Sequence, residues 1–205
     1  MNQEQTIIKN FELLRSQAAK LASKGGTLQT FLDTEAQRVM LAPASTRTEF
    51  AGCYPGGLVE QSLRVLQNAA KLRQAYSLVD SITTESLILV SLFHDIGKVG
   101  TESKDYYVEN TSDWHRDKLG ILYNVADRFQ HVQVSQLSLW RLAKNHVEID
   151  IDEWYSVSTV GNKALRDDQP QSGAATEPVL NLVLSQAVKA ASVQGRGKTK
   201  ATLIQ

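Results

Sequence analysis

Hydrophobic positions recur at three- and four-residue steps along most of the chain, the pattern of helices with one buried face. Ile7, Ile8, Phe11, Leu14, Ala18 and Leu21 form the first stripe, and Gly25-Gly26 ends it. Leu28, Phe31, Leu32, Ala36, Val39 and Met40 form a second, broken by Pro43 and the polar run 45–48. After Pro55-Gly56-Gly57, a long helix is marked by Leu58, Leu63, Leu66, Ala69, Ala70 and Leu72. Thr83 is placed to cap the next helix, with Glu85 favoured by the dipole of its first turn. The residues at 87–93 are apolar nearly all round, as a core helix requires, and the pattern predicts its end at Gly97 or Gly100. Between 101 and 124 the period changes. Tyr106-Tyr107-Val108 and Ile121-Leu122-Tyr123 are short β-prone runs, which predict a small hairpin or extended excursion.

Helical spacing returns at 134–143 and 151–157. Asp150 and Glu153 there have the spacing of a capping box, and Trp140 and Trp154 fall on apolar stripes and are expected in the core. The polar stretch 162–177 is long for a connection. Val179, Leu180, Val183, Leu184, Ala187, Val188 and Ala191 mark a last helix, and the cationic, glycine-containing residues beyond it read as a mobile tail.

Composition narrows the function classes. A chain of 205 residues is long enough for one domain with a sizeable core. With 22 Lys+Arg against 22 Asp+Glu there is no cationic excess to bind polyanions indiscriminately, so a nucleic-acid partner is left open rather than indicated. The lone Cys53 excludes an internal disulfide and a cysteine zinc cluster, and reads as a small filler. The longest apolar run is far too short to cross a bilayer, and residues 1–5 lack the basic and apolar regions of a secretory leader. These features predict no membrane partner and a cytoplasmic location.

The candidate chemistry is His94-Asp95, which closes the most apolar helix and leads into Ile96-Gly97-Lys98. An imidazole beside a carboxylate is a common metal-binding pair. For two residues alone, the simpler reading is a hydrogen-bonded core histidine with Asp95 paired to Lys98, three positions on.

The wider context adds to this. Leu92-Phe93-His94-Asp95-Ile96-Gly97-Lys98 resembles the central signature of the HD-domain metal-dependent phosphohydrolases. Upstream, Gly56-Gly57-Leu58-Val59-Glu60-Gln61-Ser62-Leu63 resembles the Gly-Gly-Leu-x-Glu-His-Ser-Leu helix start of that family. The stretch from Tyr106-Tyr107-Val108 through Trp114-His115-Arg116-Asp117-Lys118-Leu119-Gly120 is similar to a subset carried by bacteriophages of the T-even type and some bacteria. The resemblance covers about residues 42–192. It implies a mostly α-helical HD-type bundle with a short β excursion, preceded by a helical N-terminal extension at 1–41 and followed by a flexible cationic tail at 193–205.

The departures from the family pattern are informative. The family holds its first metal with an upstream His, the His-Asp pair and a distal Asp. Aligned here, those outer positions read Gln61 and Gln186, beside His94 and Asp95. Gln136 and Val160 align where a second metal would find histidines, while His131 and His115 are possible substitutes. A catalytic transition-metal site needs about three basic protein ligands and an open position for water. A glutamine amide serves Zn, Mn or Fe poorly. The substitutions keep polarity and bulk, so Gln61 and Gln186 are expected to bond to His94 and Asp95 in a surviving pocket. Lys98, Arg47, Arg116 and Lys118 lie in segments that border the pocket in the family, where they would hold phosphate.

Three readings follow. The first is a phage-type HD-domain pseudoenzyme that binds a nucleotide, a nucleic-acid complex or a protein. The second is a working phosphohydrolase that uses a weakly bound divalent metal (Mn, Mg, Fe, Co or Ni) on His94 and Asp95, with Lys98 on the phosphate. The third is an assembly component docked through its tail or first helix.

Overall fold

The computed structural model describes residues 2–21, 24, 27–160 and 177–204. The first stripe forms α1 (Gln3–Ala18). Asn2 caps it by taking the Gln5 N–H, while the Gln5 side chain takes the Asn2 N–H. The second stripe is two helices, α2 (Leu28–Thr34) and α3 (Ala36–Leu41). They part at Glu35, whose buried carboxylate accepts from Arg38 and Arg141. The long helix α4 (Gly57–Ala75) follows, then the apolar α5 (Thr84–Phe93). Thr83 caps α5 through Ser86, as its position predicts. The core helix stops at Phe93, earlier than the glycines indicate. His94 is its C-cap, and a tighter 3-10 turn (Ile96–Val99) runs on to Gly100.

The excursion contains two strands, β1 (Tyr107–Glu109) and β2 (Tyr123–Val125), paired antiparallel with Tyr107 opposite Val125. Between them lies a helix the sequence pattern does not show, α6 (Asp113–Leu119), which buries none of its residues. Among the described residues the remaining helices are α7 (Val134–Lys144), α8 (Ile151–Thr159) and α9 (Val179–Gln194). Asp150 and Glu153 form the expected capping box at the start of α8. Of the polar stretch 162–177, all but Glu177 lies outside the described residues.

Two apolar clusters meet across α5, which explains its lack of a polar face. Leu89, Leu92 and Phe93 pack with Phe11, Leu14, Leu32 and Leu63, whereas Leu87 and Val90 pack with Val65, Ala69, Val157, Val183 and Leu184. Each Leu, Val or Phe side chain among them contributes roughly 1.5–3 kcal/mol on burial. Helices α1–α3 therefore share a core with α4 and α5. No helix among the described residues is long and apolar enough to cross a membrane.

Two expectations fail here. Trp140 and Trp154 are 43% and 47% exposed. The packed stripe of α7 runs through Leu137, Ser138, Arg141 and Leu142, and Trp140 lies beside it with the Lys144 ammonium over its ring. On α8, Glu153 and Val157 face inward, and Trp154 is turned about 100° away from Glu153. The tail is also docked. Ala201 and Ile204 are buried, and Thr202 is bonded to both Glu60 and Asn10.

Candidate functional site

The apolar α5 carries His94 and Asp95 to the floor of a cavity of about 620 Å³. Gln61 of α4, Gln133, Val134 and Ser135 at the start of α7, and Val160 after α8 form its walls, with Val188 and Ser192 of α9. Ser45, Phe50 and Ala51 border it from the loop before α4, and Lys98 and Arg196 bring positive charge.

His94 is 3% exposed. Its Nδ1 lies 3.1 Å from the Ser91 carbonyl, an acceptor only, so Nδ1 carries the hydrogen and Nε2 bears the lone pair. Burial lowers the imidazole below its ordinary 6.5, aided by the Lys98 charge and opposed by Asp95. The ring is therefore neutral at pH 7. Asp95 Oδ2 stands 3.7 Å from Nε2, but accepts from Lys98 Nζ at 2.6 Å. Burial alone would push the Asp95 carboxyl up. The Lys98 ammonium, His94 and the hydrogen bond outweigh it, so the group titrates below its ordinary range. Burial likewise favours neutral Lys98, and Asp95 reverses this and holds the ammonium charged.

The local reading of Asp95 paired to Lys98 is thus realised. Among the described residues the lining carries two cations, Lys98 and Arg196, and one carboxylate, Asp95. The described lining residues offer a metal one imidazole, one carboxylate already bonded to an ammonium, and the Gln61 amide, fewer basic ligands than the three of a catalytic transition-metal site. Among the described residues no group of three or more His, Cys, Asp or Glu side chains is placed to hold an ion.

Other positions need correction. Gln186 does not reach the cavity or bond to His94 or Asp95; it accepts from the Tyr76 hydroxyl at 2.7 Å. Two residues along a helix turn the side chain by about 200°, and Val188 faces the cavity instead. Gln136 is exposed and closes the α7 capping box, leaving Gln133 at the cavity; Val160 does line it. His131 and His115 are exposed and outside the lining. Of the four predicted phosphate contacts only Lys98 borders the cavity. Arg47 faces Glu49, Arg116 is bonded to Asp113, and Lys118 is exposed on α6. Arg196 was missed. Its signal is the four-residue spacing 188, 192, 196, which continues one helix face past Gly195.

The electrostatics of His94 set a pH dependence. A base whose folded pKa is depressed adds stability that is present above its unfolded value. That stability is lost as pH falls below about 6.5 toward the folded value. Asp95, depressed from 3.8, adds a separate loss in stronger acid. Urea midpoints should therefore drop between pH 7.5 and 5.5 in the wild type. They should drop less in His94→Gln, and equal slopes would show that His94 does not carry the effect.

No protein-family model, no curated protein and no solved structure matches this chain.

Proposed function

We propose that this chain is an HD-domain-like protein that has lost metal-dependent hydrolysis and keeps the former active-site cavity as a binding site for a small phosphate-bearing anion. The observation that carries the reading is the Asp95–Lys98 pair, at 2.6 Å. An ammonium occupies the carboxylate that a divalent ion would need. Of the two outer positions expected to hold an ion, Gln61 is neutral and Gln186 is turned away to Tyr76, which leaves apolar Val188 at the cavity. What remains among the described residues suits an anion: Lys98 and Arg196 exceed Asp95 by one charge, His94 is neutral, and Ser135 adds a hydroxyl.

The test joins metal analysis to binding. Purified protein, titrated with a panel of nucleotides and inorganic phosphates with and without Mn, should bind a phosphate anion without needing metal. Lys98→Gln should weaken that binding. A charge-assisted hydrogen bond is worth about 1.5–3 kcal/mol, so the loss should be about tenfold or more. Stoichiometric divalent metal, with phosphohydrolase turnover that disappears in His94→Ala, would overturn the reading in favour of a working enzyme.

A further inference from the structure

The last ten described residues run back along α4 and pass the mouth of the cavity. Glu60, Arg64 and Asn68 are spaced four apart and so share one face of that helix. Each is bonded to the end of the chain. Asn68 and Gln194, the last residue of α9, exchange side-chain amide hydrogen bonds at 3.1 and 3.3 Å. Glu60 is only 1% exposed. Its Oε2 accepts from the Thr202 backbone N–H at 2.7 Å, and its Oε1 accepts from the Thr202 hydroxyl at 2.7 Å. Arg64 completes the cluster by donating to both Glu60 and the Thr202 hydroxyl oxygen. Farther along, the Asn10 side chain of α1 donates to the Thr202 carbonyl and accepts from the Ile204 N–H. A buried carboxylate is costly unless its oxygens are fully bonded, and half the bonds to this one come from the returning chain.

Arg196 stands between these two anchors. At Gly195 the chain presses on the cavity wall. A Cβ there would lie 2.6 Å from Ala51 Cβ and 3.2 Å from Gln61 Oε1, both residues of the lining. One residue later Arg196 borders the cavity, and no side-chain bond ties its guanidinium to another described residue. Nearby Lys198, by contrast, donates to Thr202 and faces Glu60. The anchors hold the backbone on both sides of Arg196, so little further ordering is needed when an anion arrives.

We propose that residues 195–204 are a strap that completes the anion site, with Arg196 a ligand-binding residue and the Glu60–Thr202 latch its positioning device. This rests on the anion-binding reading above. It goes further in making affinity depend on a segment remote from the His94-Asp95 turn. When the latch is closed the guanidinium is held over the cavity; when it opens, Lys98 is the cation left there among the described residues.

Inorganic pyrophosphate, an anion without a base, is a suitable probe for calorimetry on the full chain. The wild type should bind it. Arg196→Gln, an exposed change, should bind about tenfold more weakly. Thr202→Val, which lies outside the cavity, should also bind several-fold more weakly. Its backbone amides at 195–204 should exchange faster in deuterium oxide. Pyrophosphate should slow that exchange in the wild type and not in Arg196→Gln. Equal affinity in wild type and Arg196→Gln overturns the strap while leaving the anion site standing, as does strap exchange that pyrophosphate does not slow in the wild type. No binding by the wild type overturns both.

Discussion

Arg141→Ala should lower the free energy of unfolding by about 3 kcal/mol or more, the range found when one partner of a buried ion pair is removed. Arg141 is 2% exposed. Its guanidinium donates to both Glu35 oxygens at 3.1 Å, its Nε donates to the Gly100 carbonyl at 2.5 Å, and its face lies 5.0 Å from the Phe31 ring centre. Without it, the Gly100 carbonyl loses that donor and Glu35 keeps only the Arg38 bond among its present side-chain donors. The effect is not confined to α7, because Gly100 ends the turn that carries Lys98. Urea denaturation measures the loss directly. A drop under about 1 kcal/mol, the scale of an exposed pair, would mean the pair is far wetter than its burial implies. Replacing both partners with apolar residues, Glu35→Leu with Arg141→Met, should recover part of the loss.

Gly97→Ala should be nearly as disruptive although it adds one methyl group. A Cβ at Gly97 would stand 2.6 Å from the Val134 carbonyl oxygen and 2.9 Å from the Ser138 nitrogen, both backbone atoms of α7. The Gly97 N–H also donates to the Ser138 hydroxyl at 2.9 Å, inside the same contact. Relief requires α7 to move off the turn, at a cost of about 1–3 kcal/mol or more. The start of α7 supplies Gln133, Val134 and Ser135 to the cavity, so the same shift should weaken pyrophosphate binding. A variant with unchanged melting and unchanged affinity would show that the turn and α7 are not tightly seated.

The two effects illustrate what a linear pattern reveals and what it hides. Helices with a buried stripe were legible because apolar side chains three and four apart must share a face; α1, α4 and α9 follow from this, and α5 from a run that is apolar nearly all round. Caps were legible too, since Thr83 and the Asp150–Glu153 pair act within one turn. The two strands lie one or two residues beyond the β-prone runs, because both runs extend into the loops before them. Helix α6 was hidden because no stripe marks a helix that buries nothing. At the site, His94, Asp95, Gln61 and Lys98 were found because they sit in one continuous motif or its neighbouring helix start. Gln186 was misplaced by two residues, enough to turn it to the far side of α9. The docking of the tail was illegible for a different reason: Glu60 and Thr202 are 142 residues apart and joined by polar bonds that leave no periodic trace.

Cys53 lies at 2% exposure, and burial pushes its thiol up to about 11, against smaller opposing effects of Ser45 and Leu122. At neutral pH almost none of it is the nucleophilic thiolate. Because the chain has no second sulfhydryl, alkylation at that position keeps time with the opening of the loop before α4. That one buried thiol makes the alkylation rate a gauge of how often the loop bordering the cavity opens, with the modifying group itself outside the cavity lining.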